Sequence, residues 1–366
     1  MKKNISKIVM YIDMMAHGGA QRVMGNLANF FVNEGVEIVL VNDFKLKESE
    51  AQYSIDHRIN RVYLQNKNEG NLLKKNIVRI NGLRKLVKKE KPDLVLSFLG
   101  RPNKRMLIAT IGLRTKKVVS VRNDPNKEYG NCLFNKWIAG ILFNLADGCV
   151  FQTAEAQNYF PKSVINKSLI IVNPVDSQFY LQERNGNGEN IISIGRLEPQ
   201  KNNELLIRAF KKIEINFPNE KLVFYGTGSM LSSLQQLTAD LGIKNKVIFA
   251  GDTNCVSEKL RNCKLFVLSS DYEGMPNALM EAMASGTPCI STDCPCGGPK
   301  ELIKNGVSGI LVPTNDVEKM SVAISELLQN EERRNCLGKN ARNVADKFQA
   351  DRIYLAWNEY FERLVE

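Results

Sequence analysis

Short Val- and Ile-rich runs alternate with amphipathic helical stretches along the whole chain, and a turn-rich segment near its middle separates two similar arrays. Together these features predict an α/β protein of two Rossmann-like domains, each a parallel sheet with crossover helices. The length of 366 residues agrees, because one hydrophobic core rarely grows past roughly 250–300 residues.

In the first half, strands are expected at Lys7–Asp13, Glu37–Asn42, Asp93–Phe98, Lys117–Val121 and Gly148–Gln152. In the second half they are expected at Asn190–Gly195, Lys221–Tyr225, Lys246–Ala250, Lys264–Ser269 and Pro288–Thr292. The stretch from Asn173-Pro174-Val175-Asp176 to Gly186-Asn187-Gly188 is rich in turn formers and reads as the linker. The expected division is therefore 1–185 and 186–350. A final amphipathic helix over 351–366, with Ile353, Trp357, Tyr360 and Phe361 at helical spacing, is expected to pack back on the first domain.

Composition narrows the classes. With 43% hydrophobic and 24% charged residues the chain reads as globular. The opening MKKNISKIVMYIDMM reads as a first strand, since Asp13 interrupts its apolar run and no small-residue cleavage site follows promptly. No apolar run reaches the roughly 20 residues of a membrane span. The longest patch, Trp137 to Leu145, is too short and contains Asn144. Eight cysteines form no C-x-x-C pair, and the Cys294/Cys296 pair has no histidine near it, so neither a disulfide scaffold nor a metal site is expected. A reducing cytoplasm fits best. Charge is uneven: residues 1–185 carry 29 Lys and Arg against 16 Asp and Glu, while residues 186–366 carry 21 against 23.

The segment Glu273-Gly-Met-Pro-Asn-Ala-Leu-Met-Glu281 follows a buried-strand pattern and opens a short helix. Pro276 suits the first helical turn, where its missing N–H costs nothing, so a helix is expected from there to Ser285-Gly286. Leu279, Ala282, Met283 and Gly286 form one row, read as core; Asn277, Glu281 and Ser285 form another, read as polar. Glu273 then lies at the carboxyl end of a strand, ahead of helix amides that favour anions. From spacing alone, a solvated Glu281 and a dipole-stabilising Glu273 explain the pattern equally well.

Ile192-Ser-Ile-Gly195-Arg196-Leu-Glu-Pro-Gln-Lys201 presents a cationic fork and a point charge ahead of a helix, a pair suited to a diphosphate, although a solvated basic loop would look the same. Gly226-Thr-Gly228 lies at another strand-to-helix turn, but Leu231 holds the third glycine position of a dinucleotide fingerprint, which disfavours a nicotinamide enzyme. Gly18 and Gly19 form the first strand-to-helix turn, where a ligand could approach the backbone although packing alone also calls for glycine; beside them lies His17, one of only two histidines, and a lone loop histidine is more often structural than catalytic.

Gly18-Gly19, Gly195-Arg196 with Lys201, Gly226-x-Gly228, Glu273 with Glu281, and Cys296-Gly-Gly-Pro-Lys-Glu301 with Gly306 and Gly309 occur in an order and spacing that resembles retaining family-4 glycosyltransferases of the GT-B fold. The similarity covers essentially the whole chain and is strongest over 190–313. The resemblance implies two Rossmann-like domains facing each other across a cleft. It implies that Arg196 and Lys201 bind the donor diphosphate, with Gly18 and Gly19 approaching it and Gly226 and Gly228 also on the donor side. It places Glu273 near the donor sugar, Glu281 on the ribose hydroxyls, and the loop of Gly274, Met275, Pro276, Asn277 and Leu279 around sugar and phosphate, held there by its free amides. Two cations and a helix N-terminus would stabilise the departing diphosphate, so no cofactor or metal is expected. Where many relatives carry a first-domain histidine, this chain has Ser120-Val-Arg-Asn-Asp-Pro125, which resembles a subset of bacterial polysaccharide transferases; Arg122 and His17 are candidate contacts to acceptor or phosphate.

Leu72–Lys91 carries eight Lys and Arg and one Glu, with Leu73, Ile77, Ile80, Leu83 and Val87 on one stripe. Either this is a crossover helix with a solvated basic face, or its basic residues, with Arg101, Lys104, Arg105, Arg114, Lys116 and Lys117, meet anionic lipid. Nucleic acid is disfavoured, because the basic face lacks clustered aromatics. The expected function is a retaining, metal-independent transfer of a hexose or N-acetylhexosamine from a UDP-sugar to a polyprenyl-diphosphate-linked saccharide for bacterial capsule or O-antigen. The enzyme would be cytoplasmic and peripheral on the inner face of the plasma membrane. A nucleotide-sugar epimerase, a phosphorylase, or a silent nucleotide-sugar-binding partner are the alternatives.

Overall fold

The computed structural model describes residues 5–16, 18–46, 53–65, 71–181, 188 and 190–366. The chain divides into two compact units, Met1–Pro174 with Asp351–Glu366, and Val175–Ala350. The division falls ahead of the expected 185/186 boundary because Val175 is stitched into the second unit. Its N–H donates to Phe348 O at 2.8 Å, and its carbonyl accepts from Ala350 N–H at 3.1 Å.

The first unit runs β1 (Lys7–Tyr11), α1 (Gly19–Asn33), β2 (Glu37–Phe44), β3 (Asn60–Gln65), α2 (Leu72–Glu90), β4 (Leu94–Phe98), α3 (Gly100–Ala109), β5 (Lys116–Ser120), α4 (Pro125–Tyr129), α5 (Leu133–Phe143), β6 (Gly148–Phe151), α6 (Ala154–Asn158), α7 (Lys162–Ile165) and β7 (Ser168–Ile170). Among the described residues these strands form a parallel sheet in the order β3-β2-β1-β4-β5-β6-β7. The order reverses at β1 and β4, the place where open α/β sheets hold ligands beyond their strand ends.

The second unit runs β8 (Asn190–Ile194), α8 (Asn203–Ile213), β9 (Lys221–Tyr225), α9 (Leu231–Asp240), β10 (Val247–Gly251), α10 (Val256–Asn262), β11 (Leu265–Leu268), α11 (Asn277–Ala284), β12 (Cys289–Thr292), α12 (Gly298–Leu302), β13 (Ile310–Val312), α13 (Val317–Gln329) and α14 (Glu331–Ala345), with α15 (Ala350–Val365) returning to the first unit. Its parallel sheet has the order β10-β9-β8-β11-β12-β13, so its switch point lies between β8 and β11. The two Rossmann-like units expected from the sequence are both present.

Helix α15 belongs to the core of the first unit. Its apolar stripe buries Ile353, Trp357, Tyr360 and Phe361; Phe361 stacks on Phe31 of α1 at 5.5 Å between ring centroids, and Trp357 lies 5.9 Å from Phe98. The Tyr360 hydroxyl accepts from Cys149 N–H at 2.9 Å and donates to Lys167 O at 2.8 Å, so a side chain satisfies backbone groups where β6 meets β7.

Part of the basic character of this unit is internal. Arg79 of α2 and Arg105 of α3 turn inward to the buried Asp43 carboxylate at 3.0 and 2.7 Å, and the Tyr11 hydroxyl donates to the same group at 2.6 Å. These arginines are buried, and the lipid-facing surface expected of this region loses both. The α2 stripe also departs from expectation: Leu83 and Val87 are buried, but Leu73 and Ile77 are exposed.

Candidate active site

The loops that follow β8 and β11 meet at the switch point of the second sheet and are tied together through many contacts. Asp271 N–H donates to Gln200 O at 2.9 Å, Gln200 Nε2 to Tyr272 O at 2.8 Å, and Ser269 Oγ to Lys201 O at 2.9 Å. Asn202 is held in the left-handed region (φ 42°), where its side chain caps α8 at Leu205 N–H and donates to Asp271 Oδ1 at 2.7 Å. Asn tolerates this conformation better than most residues. The result is a rigid frame that brings Lys201 Nζ and Glu273 Oε1 into an ion pair.

Glu273 is 6% exposed. Its Oε1 also accepts from Ser270 Oγ at 2.6 Å, and its own N–H donates to Pro295 O at 3.2 Å. A buried carboxylate requires such partners, since an unpaired one would cost several kcal/mol. Burial, reinforced by the Glu273 charge, pushes the nearby Cys294 thiol up to about 12, so this cysteine stays a neutral thiol beside the pair. Arg196 is exposed on the same loop as Lys201.

Helix α11 runs Asn277–Ala284, so Pro276, expected as its first residue, instead stands just outside as the N-cap (φ −76°, ψ 107°). Gly274, Met275 and Pro276 are buried, Leu279 is fully buried, and Asn277 is half-buried. The row read as polar is corrected: Glu281 is 5% exposed and Ser285 is fully buried, so both sides of α11 face protein. Two glycines make the Gly274 loop possible. A Cβ on Gly298 would stand 1.7 Å from Gly274 O, and Gly297 at the N-cap of α12 adopts φ 73°.

Gly226 and Gly228 serve a neighbouring close approach. A Cβ on Gly226 would lie 2.1 Å from Gly195 O, and one on Gly228 would lie 2.3 Å from Leu197 O. The loops after β8 and β9 lock there through Leu197 N–H to Thr227 O at 2.8 Å and Met230 N–H to Leu197 O at 2.9 Å. Glu198 accepts from Ser229 N–H and Oγ at 3.0 and 2.8 Å, and these bonds hold its pKa below the usual carboxylate range. These glycines thus shape the loop that carries Arg196 and Lys201.

In the first unit, Gly18 and Gly19 open α1 after β1; Gly18 N–H donates to Tyr53 Oη at 3.2 Å. His17 lies outside the described residues. Arg122 is 7% exposed, its guanidinium 4.2 Å from the Phe98 ring centroid and 5.3 Å from that of Trp357, and its Nη1 donates to Asn173 Oδ1 at 2.9 Å. Its Nε and Nη2 are buried without hydrogen-bond partners. Burial lowers its pKa to about 9, which leaves it protonated at neutral pH. Arg122 therefore sits inside the first unit as a cation stacked between aromatic rings.

Sequence reasoning missed Ser270, Gln200, Asn202 and Asp271, which hold the frame, and Glu128, whose carboxyl lies beside the start of α3. A Cβ on Gly100 would be 3.5 Å from Glu128 Cδ. Only Asn202, an Asn three residues before a helical Leu-rich run, carried a local sign as a cap.

Two parallel-sheet units with switch-point loops of this kind define the GT-B class. The fold agrees with a solved structure of Anabaena HepE in complex with UDP and glucose, at TM-score 0.81 and 18% identity over 97% of this chain and 99% of that one. Residues 178–344, nearly all of the second unit, match the family model of glycosyl transferases group 1. An uncharacterized glycosyltransferase of Methanocaldococcus jannaschii is 32% identical over 244 residues, and the alignment spans 60% of each chain. A Campylobacter jejuni protein named N-acetylgalactosamine-N,N'-diacetylbacillosaminyl-diphospho-undecaprenol 4-alpha-N-acetylgalactosaminyltransferase is 27% identical, over 95% of this chain and 97% of its own.

Proposed function

We propose that this protein moves a hexose or N-acetylhexosamine from a UDP-sugar onto a polyprenyl-diphosphate-linked saccharide, with retention and without a metal, in the synthesis of a bacterial surface polysaccharide such as capsule or O-antigen. The observation that supports it best is the Lys201–Glu273 pair, framed at the switch point of the glycosyltransferase domain. The Campylobacter relative, whose name describes a lipid-linked acceptor, supports the acceptor class, and the UDP-bound structural neighbour supports the nucleotide.

In this reading Lys201 and Arg196 face the donor diphosphate and stabilise the charge that grows on it as the glycosyl bond breaks. Glu273, fixed by Ser270 and Lys201, holds the donor sugar, and Glu281 takes the ribose hydroxyls. The enzyme works at the cytoplasmic face of the membrane that carries its acceptor. Substitution separates the two glutamates: Glu281→Ala should chiefly weaken UDP binding by calorimetry, and Glu273→Ala should chiefly lower turnover. Equal small effects from both would remove the assigned roles.

A further inference from the structure

Helix α5 is apolar on both sides. Ala139, Gly140 and Phe143 seat it on the first unit, where Phe143 packs 4.4 Å from Phe160 and a Cβ on Gly140 would meet Pro161 at 3.0 Å. The opposite side leaves Leu133 85%, Phe134 65%, Trp137 62% and Ile141 50% exposed, with Ile138 and, two residues beyond the helix, Leu145 on the same stripe. Positions 133, 134, 137, 138, 141 and 145 follow helical spacing, so they form one continuous face. Phe134 and Trp137 stack on each other at 6.1 Å, presenting a preformed aromatic pair to the outside. A contiguous patch of this size on a soluble face marks a surface that is covered by something else.

The charges around the patch select its occupant. Helix α5 carries no carboxylate; its one charged residue is Lys136, which lies over the Tyr159 ring at 5.2 Å. Lys127 on α4 and Lys162 at the start of α7, next to the Pro161 that seats the helix, are both exposed. Large apolar and aromatic side chains on a helix whose one charge is a lysine, with exposed lysines on the neighbouring α4 and α7, match a helix lying in the plane of an anionic bilayer, with its rings at the headgroup level. No helix among the described residues is long and apolar enough to cross a membrane, so such a contact would be one of lying on the surface.

We infer that the outer face of α5, centred on Phe134 and Trp137, is the surface by which this protein docks on membranes that contain anionic lipid. The inference rests on the reading that the acceptor is lipid-borne and moves the contact from the basic helix α2 to α5.

The chain has two tryptophans, and Trp357 is fully buried, so a change of emission on adding vesicles reports Trp137. With vesicles of phosphatidylcholine and phosphatidylglycerol, Trp137 emission should shift to the blue and be quenched by brominated acyl chains, more strongly than with phosphatidylcholine alone. The variant F134S/W137S should lose vesicle co-sedimentation by about tenfold or more, as expected from removing two rings that the bilayer would bury. Neutralising Lys74, Lys75, Lys85, Lys88 and Lys89 should cost less. Unchanged Trp137 emission, or a double variant that sediments like the wild type, would overturn the proposal. So would a wild-type dimer that the double variant converts to monomer, which would make this face a contact between copies. UDP binding measured on the same samples reports the donor site separately, so failure of one reading is told from failure of the other.

Discussion

The Lys201 ammonium pairs with the Glu273 carboxylate across two loops that leave neighbouring strands of one sheet. The pair is the visible end of a larger device, in which the Asn202–Asp271, Gln200–Tyr272 and Ser269–Lys201 hydrogen bonds fix both loops before any ligand arrives. Preorganisation of this kind is what lets a cation act on developing charge without reorganising at the moment of reaction.

Lys201→Ala removes the cation and leaves Glu273 buried with Ser270 as its remaining side-chain donor. Turnover with donor and acceptor should fall about 10²–10³-fold, the scale of removing one charge-stabilising group. Stability should fall by about 1–3 kcal/mol, because a buried acceptor loses its strongest partner. Steady-state kinetics with thermal melts check both.

Gly298→Ala forces a methyl group into Gly274 O. Since backbone rather than a flexible side chain stands in the way, the loop ahead of α11 must shift, and stability should drop by about 1–3 kcal/mol together with loss of UDP affinity. Gly18→Ala is the contrast. Gly18 has an extended backbone (φ 175°) and its new Cβ would meet only the movable end of Gln21, so urea unfolding should change by less than about 0.5 kcal/mol.

Arg122 braces α15 against the first sheet from inside. Arg122→Ala would remove the filling between Phe98 and Trp357 and should destabilise by about 2–4 kcal/mol in urea unfolding. Arg122→Met, which keeps apolar volume and discards two buried donors without partners, should cost far less.

Glu128 gives the first unit a pH dependence. Burial pushes its carboxyl from the ordinary 4.5 up to about 7, with the Gly100 amide and Lys104 opposing and Asp124 and Asp13 adding. Its raised folded-state pKa means the folded chain keeps a proton that the unfolded chain has released. Stability from this group is therefore complete below about 4.5, declines as pH rises to about 7, and stays low above that. Glu128→Gln should flatten this slope and raise stability above neutral pH by up to about 3 kcal/mol, as unfolding titrations at several pH values would reveal.

The central strands were legible because they are continuous apolar, β-branched runs, buried on both faces. The strands that escaped notice, β3, β7 and β13, all lie at sheet edges. There Asn60–Gln65 is only half-buried, and Ser168–Ile170 and Ile310–Val312 are three residues long, so neither burial nor length marks them. In the site, Lys201 and Glu273 stood out through their motifs. The hydrogen bonds that frame them join residues as far apart as 72 positions and leave no periodic trace. Burial of Glu281 was hidden for a similar reason, since a polar row on a helix is indistinguishable from a solvated one until its neighbours are known. Helix α5 is the converse: an apolar stripe reads as core, and only packing reveals that it stays exposed among the described residues.

If the Lys201–Glu273 frame serves sugar transfer from a UDP-sugar, mass spectrometry of the protein incubated with a panel of UDP-sugars and polyprenyl-diphosphate saccharides, with and without EDTA, will register it. The expected result is free UDP and a matching gain of one sugar mass on one acceptor, unaffected by EDTA and reduced about 10²–10³-fold in Lys201→Ala. UDP that fails to bind, or transfer that EDTA stops or that survives intact in Lys201→Ala, would contradict it.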